Sequence, residues 1–298
     1  MNDLIQKLYN GDRRALARCI STVENELSGY EELLQQLEFN KSTPIIGITG
    51  PPGAGKSTLI NALTTHIRHA GKSVAIIAVD PSSPFHQGSI MGDRIRMSEH
   101  FLHEDVFIRS MATRGSLGGL SPKIFEVADL MRAAKFDYII IETVGVGQSE
   151  VEIAALADTT ILALVPEAGD EIQTIKSGVM EIADIYVVNK ADRDGADVFY
   201  KNLIVVAHAN QKENWETQVI KTVASKGEGI PELLQAIENH SQASIQNNKK
   251  TRLLAERAFM LIKNQRTKDV IFDDLENDLR QHLADAHFNL YRYVRKYN

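Results

Sequence analysis

The string Gly50-Pro51-Pro52-Gly53-Ala54-Gly55-Lys56-Ser57-Thr58 fits the pattern G-x-x-x-x-G-K-[ST]. The chemistry of such a string is phosphate binding. Its glycines let the backbone turn N–H groups toward phosphate oxygens. A helix beginning at its end adds partial positive charge. Lys56 is the group to reach the β- and γ-phosphates, and Ser57 offers a hydroxyl to Mg²⁺. The flanks give the string its meaning. The apolar run 45–49 predicts a buried strand, and 59–70 predicts a helix. A chance glycine-rich turn would lack that strand–loop–helix setting.

A second string addresses the base. Val187-Val188-Asn189-Lys190-Ala191-Asp192 carries N-K-x-D after an apolar strand at 185–188. The Asp192 carboxylate can accept hydrogen bonds from guanine N1–H and the exocyclic amine. Adenine lacks that pair of donors and would leave the carboxylate unmatched, a costly error. Asn189 and the stem of Lys190 would brace the loop and cover the base. Ala224-Ser225-Lys226-Gly227, after the apolar run 217–223, has the layout of a last guanine-contacting loop. The expected ligands are GTP and GDP.

Between these strings lie residues able to sense a γ-phosphate. Ile141-Glu142-Thr143-Val144-Gly145 has the layout of a D-x-x-G switch with glutamate in place of aspartate. Gly145 can bring its N–H near the γ-phosphate. Glu142 can hold Mg²⁺ directly or through water. Asp80, closing the second strand, and Asp93 are further acidic candidates for the metal. Each has a plainer reading: Asp80 before Pro81 as a turn residue, Asp93 as a helix cap. His100 and His103 would share a helix face, but no Cys or carboxylate cluster joins them to make a metal site. Trp215 reads as packing.

The elements that must position these groups alternate. Strands are predicted at 45–49, 73–79, 105–110, 137–142, 159–165, 185–188 and 217–223, with helical segments between them. That pattern predicts an α/β fold of the P-loop NTPase kind, a mainly parallel sheet covered by helices on both faces. Helical periodicity before it, broken at Gly11-Asp12 and Ser28-Gly29, predicts an N-terminal helical extension over 1–43. The nucleotide-binding domain would run over 44–245, and a C-terminal helical extension over 246–298. The last stretch, 270–297, reads as one helix with an apolar stripe of Ile271, Leu275, Leu279 and Leu283. A stripe must be covered. Either its own domain or a second copy could cover it; its place beyond a complete α/β unit makes a homodimerisation arm the expectation.

Lys plus Arg number 33 and Asp plus Glu 39, so the net charge is −6, and no basic tract occurs. Nucleic acid is not the expected partner. The single cysteine, Cys19, excludes an intrachain disulfide and paired-cysteine metal sites. No apolar run is long enough to span a bilayer, and the first ten residues do not resemble a signal peptide. A cytoplasmic protein without membrane contact is the expectation.

Val79-Asp80-Pro81-Ser82-Ser83-Pro84, Gly92-Asp93-Arg94-Ile95-Arg96-Met97, Glu142-Thr143-Val144-Gly145-Val146-Gly147-Gln148-Ser149-Glu150 and Pro166-Glu167-Ala168-Gly169-Asp170 occur in that order. Together with the N-terminal Gly11-Asp12-Arg13-Arg14-Ala15-Leu16, they resemble the MeaB/ArgK family over nearly the whole chain. That family includes the human methylmalonic aciduria type A protein. The resemblance implies a G-protein chaperone of adenosylcobalamin-dependent methylmalonyl-CoA mutase, or of a related acyl-CoA mutase. It implies slow GTP hydrolysis coupled to cofactor loading and protection. It places Ser57, Asp80, Asp93 and Glu142 around Mg²⁺, and it marks 170–176 as a third loop that answers to the partner.

One position departs from small signalling GTPases. There a glutamine directly follows the D-x-x-G glycine and orients the attacking water; here that residue is Val146, with Gln148 two positions on. The expected intrinsic rate is therefore low, with a partner completing the site. Arg94, Arg96, Arg109 and Arg114 are candidate charge stabilisers, though such arginines are more often ion-paired. The alternatives are a nickel-type metallocentre-assembly GTPase, a nucleotide-dependent kinase, and a nucleotide-gated binding module with negligible turnover. The first usually carries His-rich tracts or paired Cys, absent here. No motif specifies an acceptor site for the second.

Overall fold

The structure is a computed structural model that describes residues 2–38, 43–80, 97–112, 121, 123–143, 149–169, 179–210, 215–244, 249–283 and 288–297. Its centre is a sheet of β1 (Ile45–Thr49), β2 (Val74–Asp80), β3 (Val106–Ala112), β4 (Tyr138–Glu142), β5 (Thr159–Leu164), β6 (Ile185–Val188) and β7 (Gln218–Lys221). The strand order is β3-β2-β4-β1-β5-β6-β7, and every pairing is parallel. All seven strands predicted from the sequence are present, and the mixed character left open by that prediction resolves to purely parallel. Parallel strands need helical crossovers, and these put cover on both faces.

Alternation of side chains along each strand sorts the core by face. Ile45, Ile77, Ile139 and Ile141 point one way, into a core shared with Ile5 and Leu8 of α1 (Asn2–Tyr9) and with Leu16, Cys19, Ile20 and Val23 of α2 (Arg13–Glu24). At about 1.5–3 kcal/mol for each large apolar side chain fully buried, these helices help hold the sheet from that side. Asp12 caps α2, its carboxylate accepting from the Arg14 and Ala15 N–H groups at 2.8 and 3.0 Å. Gly29, at φ +87°, opens α3 (Tyr30–Gln35). The two breaks read from the sequence thus fall where these helices start.

Ile46, Ile48, Ile76, Ile140, Ile161 and Val187 point the other way. They meet Leu59, Ile60, Leu63 and Ile67 of α4 (Lys56–His69), and Leu233 and Ile237 of the helix Ile230–Ser244. A third core gathers Leu162, Leu164, Tyr186 and Val188 under Phe199 and Leu203 of the helix Ala196–Ala209. Trp215 packs as expected, its indole N–H donating to the Asp184 carbonyl at 2.8 Å. Among the described residues no helix is long and apolar enough to cross a membrane.

The chain divides into two compact units, Met1–Ile245 and Gln246–Asn298. The second is helical but not as predicted. Instead of one helix over 270–297, a helix spans Phe272–His282, and Asn289 caps a new one at Leu290–Tyr293 through its side chain. The aromatic tail explains the break. Tyr293 donates to Asp278 at 2.6 Å and its ring meets those of His282 and Phe288 at 5.5 and 6.0 Å, contacts that one straight helix over 270–297 could not make. The helix Phe272–His282 has no buried residue, and Ile271, Phe272 and Leu283 are exposed.

Candidate functional site

In a parallel α/β sheet, ligands collect beyond the carboxyl ends of the strands. Here the ends of β1, β4, β6 and β7 carry the strings singled out above.

β1 is fully buried and runs into the glycine-rich loop. Gly50 has φ +140°, and a Cβ there would lie 2.1 Å from the Ala163 carbonyl oxygen. Only glycine lets the loop start so close to β5. Gly55, at φ +82° and ψ 28°, is the N-cap of α4, and a Cβ on it would lie 2.5 Å from Asn189 Nδ2. Lys56 and Ser57, on the first turn of α4, are buried. Lys56 Nζ donates to the carbonyls of Gly50 at 2.8 Å and Pro51 at 3.3 Å, so its ammonium lies inside the curve of the loop. Ser57 Oγ donates to Glu142 Oε1 at 2.8 Å.

Glu142 closes β4 beside β1, with Ile48 as its register partner, and is 5% exposed. A serine hydroxyl and a carboxylate in contact form an all-oxygen donor set, the kind that suits Mg²⁺. Asp80 closes β2, two residues past Ala78, the register partner of Glu142. Its backbone therefore ends at the same edge of the sheet. Asp93, Gly145 and the loop 170–176 lie outside the described residues, as do Arg94, Arg96, Arg114, Val146 and Gln148. Arg109 is in β3 and pairs with Glu24 of α2, which commits its guanidinium to holding a helix on the sheet.

The base strings form one knot. Asn189 is 2% exposed. Its Nδ2 donates to the Ala54 carbonyl at 2.9 Å, and its Oδ1 accepts from Thr222 Oγ1 at 3.1 Å and Ala224 N at 3.3 Å. One amide thus fastens the phosphate loop to the loops after β6 and β7. Lys190, at φ +54°, reaches back to the Gly53 carbonyl at 2.8 Å. The Ala191 N–H donates to Thr222 O at 3.0 Å. Ala224–Lys226 is a single 3-10 turn. Lys226 Nζ lies 3.2 Å from Asp192 Oδ2, and that contact, with the charge behind it, holds the Asp192 carboxyl below the usual carboxylate range. The Asp192 side chain stays 43% exposed, so an acceptor remains open to solvent at this corner.

Sequence reasoning brought together Lys56, Ser57 and Glu142, and separately Asn189, Lys190, Asp192 and the turn at 224. It missed Thr222, whose hydroxyl completes the Asn189 junction, because a threonine at a strand end carries no local signal. It also missed Arg193, which pairs with Glu167 of the turn Pro166–Gly169 and so links the base loop to the segment after β5. The identity of that partner is set by the fold.

The family described as methylmalonyl-CoA mutase-associated GTPase MeaB matches residues 16–279. This chain belongs to the MeaB family. A putative GTPase of Pyrococcus horikoshii is 48% identical over 247 residues, covering 81% of this chain and 78% of that one. The GTPase ArgK of Escherichia coli is 35% identical, covering 96% and 87%. The mitochondrial methylmalonic aciduria type A homolog of Mus musculus is 37% identical, covering 76% and 59%. A solved LAO/AO transport system kinase superposes with a TM-score of 0.71 at 27% identity, covering 99% of this chain and 95% of that one. A nickel complex of HypB from Helicobacter pylori, at TM-score 0.53 and 17% identity over 73% of this chain and 95% of that one, shares the fold. The P-loop α/β architecture read from the sequence is thus shown, and so is membership of a family of GTPases.

Proposed function

We propose that this protein binds GTP with Mg²⁺, hydrolyses it slowly, and uses its nucleotide state to gate adenosylcobalamin loading and protection of methylmalonyl-CoA mutase or a related acyl-CoA mutase. One observation carries the nucleotide assignment. Asn189 and Lys190 hold the N-K-x-D loop directly on the phosphate loop, at 2.9 and 2.8 Å, with the Asp192 carboxylate ionised and accessible beside them. That junction puts the proposed base loop and the phosphate loop side by side, as one nucleotide spanning both requires. The family description supports the mutase as client.

On this reading the backbone N–H groups of 50–58 and the N-terminus of α4 take up the phosphates. Lys56 exchanges its two carbonyl acceptors for phosphate oxygens, which are the stronger, charge-assisted partners. Ser57 and Glu142, joined by Asp80 and Asp93, would hold Mg²⁺, which when bound neutralises charge developing on the β- and γ-oxygens. Gly145 would offer its N–H to the γ-phosphate. Asp192 selects guanine, and the 224–226 turn closes the base pocket. The residue after Gly145 is Val146, which cannot orient water, so ordering of the attack falls to the partner acting on segments that include 170–176.

The C-terminal unit 246–298 is proposed as the arm of a homodimer, because Ile271, Phe272 and Leu283 are exposed at 58%, 73% and 64%. Removal of residues from Thr251 onward should leave a monomer that binds GDP, seen by light scattering. A monomeric full-length chain at tens of micromolar would refute the arm. The client is tested by capture of the purified mutase on immobilised protein with GDP and then with a non-hydrolysable GTP analogue. Nucleotide-dependent retention supports the reading, and no retention in either state refutes it.

A further inference from the structure

β1 and β4 lie side by side with Ile48 opposite Glu142, so the next residues, Thr49 and Thr143, are neighbours at the strand ends. The Thr143 N–H donates to the Ile48 carbonyl at 3.1 Å, and Thr143 Oγ1 donates to Thr49 Oγ1 at 2.9 Å. Both side chains are sealed, 0% and 1% exposed. Alternation gives the two strand ends opposite duties. Glu142 faces α4 and meets Ser57. Thr143 faces the other side, that of Gly47, where a Cβ would lie 2.5 Å from Ile153 Cγ1 and 2.9 Å from Ala157 Cβ. From Thr49 the chain enters the glycine loop at once. From Thr143 it enters the stretch that contains Gly145.

We propose that the Thr49–Thr143 hydroxyl pair sets the spacing between the root of the phosphate loop and the root of the Glu142–Gly145 segment, which makes both threonines positioning residues for GTP hydrolysis. The inference rests on the GTPase reading above and adds to it a distance. Two hydroxyl oxygens can sit 2.9 Å apart. Two carbons cannot: their contact distance is about 3.5–4.0 Å. A Val–Val pair would keep the shape of the side chains yet part the roots by roughly 0.6–1.1 Å, the difference between that contact and the 2.9 Å bond. A misplacement of ~1 Å can cost about a hundredfold in rate. Removing both polar partners together leaves no hydroxyl unmatched, so its cost is the strain of parting two sealed side chains, whereas removing one leaves a buried hydroxyl unmatched. The double substitution therefore separates spacing from simple satisfaction of the core.

The test compares the parent with Thr49→Val/Thr143→Val, Thr143→Ser and Thr143→Ala. Readouts are the thermal midpoint, GDP affinity in EDTA, and phosphate release at saturating GTP. The double variant should fold cooperatively with a midpoint below the parent's, from the strain of the parted side chains, and bind GDP within about threefold, while its kcat falls about 10- to 100-fold. Thr143→Ser keeps the O–H···O bond and should return kcat to within about threefold of the parent. A well-folded double variant with parental kcat overturns the inference. If the double variant cannot be purified, Thr143→Ala decides: kcat equal to that of Thr143→Ser overturns it, and a selective kcat loss supports it. A parent that binds GDP but never releases phosphate would instead sink the GTPase reading. The pair is then read from GDP release: weaker slowing by Mg²⁺ in the double variant supports the spacing role, and unchanged slowing overturns it.

Discussion

At the base end of the site, Asn189 spends its amide inside the protein, on Ala54, Thr222 and Ala224. At the phosphate end, the groups suited to chemistry are bonded to one another and to their own loop: Lys56 to Gly50 and Pro51, Ser57 to Glu142. Nucleotide can enter the first region without breaking a bond around Asn189. On the proposed reading it enters the second only by exchange, with Lys56 turning from the Gly50 and Pro51 carbonyls to phosphate. The contrast is that the loops proposed to recognise the base are tied into the packed fold, while on the proposed reading readiness for hydrolysis is left for nucleotide, metal and a partner to assemble.

The largest expected effect breaks the phosphate end alone. Lys56→Ala should lower GTP turnover by at least about a hundredfold, since a charge contact in a closed site is worth roughly 3–5 kcal/mol. The nucleotide-free protein should lose about 1–3 kcal/mol in denaturant unfolding, because the Gly50 carbonyl loses its buried donor. Parental phosphate release at saturating GTP would remove Lys56 from the chemistry.

Breaking the base end should cost more stability. Asn189→Ala strands the Ala54 carbonyl, the Thr222 hydroxyl and the Ala224 N–H, at roughly 1–3 kcal/mol each. Denaturant unfolding of the nucleotide-free protein should show a loss of at least about 3 kcal/mol on that count. An unchanged midpoint would mean that the junction does not hold the loops.

Asp192→Asn sharpens the contrast, since it alters recognition and not folding. GTP affinity should drop about 100-fold, equivalent to about 2.7 kcal/mol, and xanthosine triphosphate should become the better ligand. Calorimetry showing equal GTP affinity in variant and parent would remove the guanine assignment. The smallest effect concerns pH. Lys226 holds the Asp192 carboxyl below its ordinary 3.8, so the carboxylate persists above that value and is lost only as pH falls through its lowered pKa. GDP affinity of the parent should not decline through Asp192 between pH 7 and 5. A decline centred in that window that vanishes in Asp192→Asn would contradict the assignment.

The chemistry-bearing strings were legible because each is local. A glycine loop must be contiguous, and N-K-x-D is four residues at a strand end. The strands were legible because a sheet buried on both faces needs unbroken apolar runs, as at 45–49 and 138–141. What escaped was set by contacts far apart in sequence. Thr222 meets Asn189 across 33 residues, and Thr143 meets Thr49 across 94. The helix start at Asn289 escaped because helical periodicity continues across it; it is fixed by the meeting of Asp278 and Tyr293, 15 residues apart.

If a mutase completes the proposed site, GTP turnover must respond to it. Phosphate release is followed at saturating GTP while purified methylmalonyl-CoA-type mutase is titrated in. Clamping can speed hydrolysis only by favouring the transition state over the ground state, and tenfold needs about 1.4 kcal/mol of that preference. One well-placed donor supplies that much. The account predicts a rise of at least about tenfold that saturates with mutase. A flat response despite demonstrated binding would contradict it.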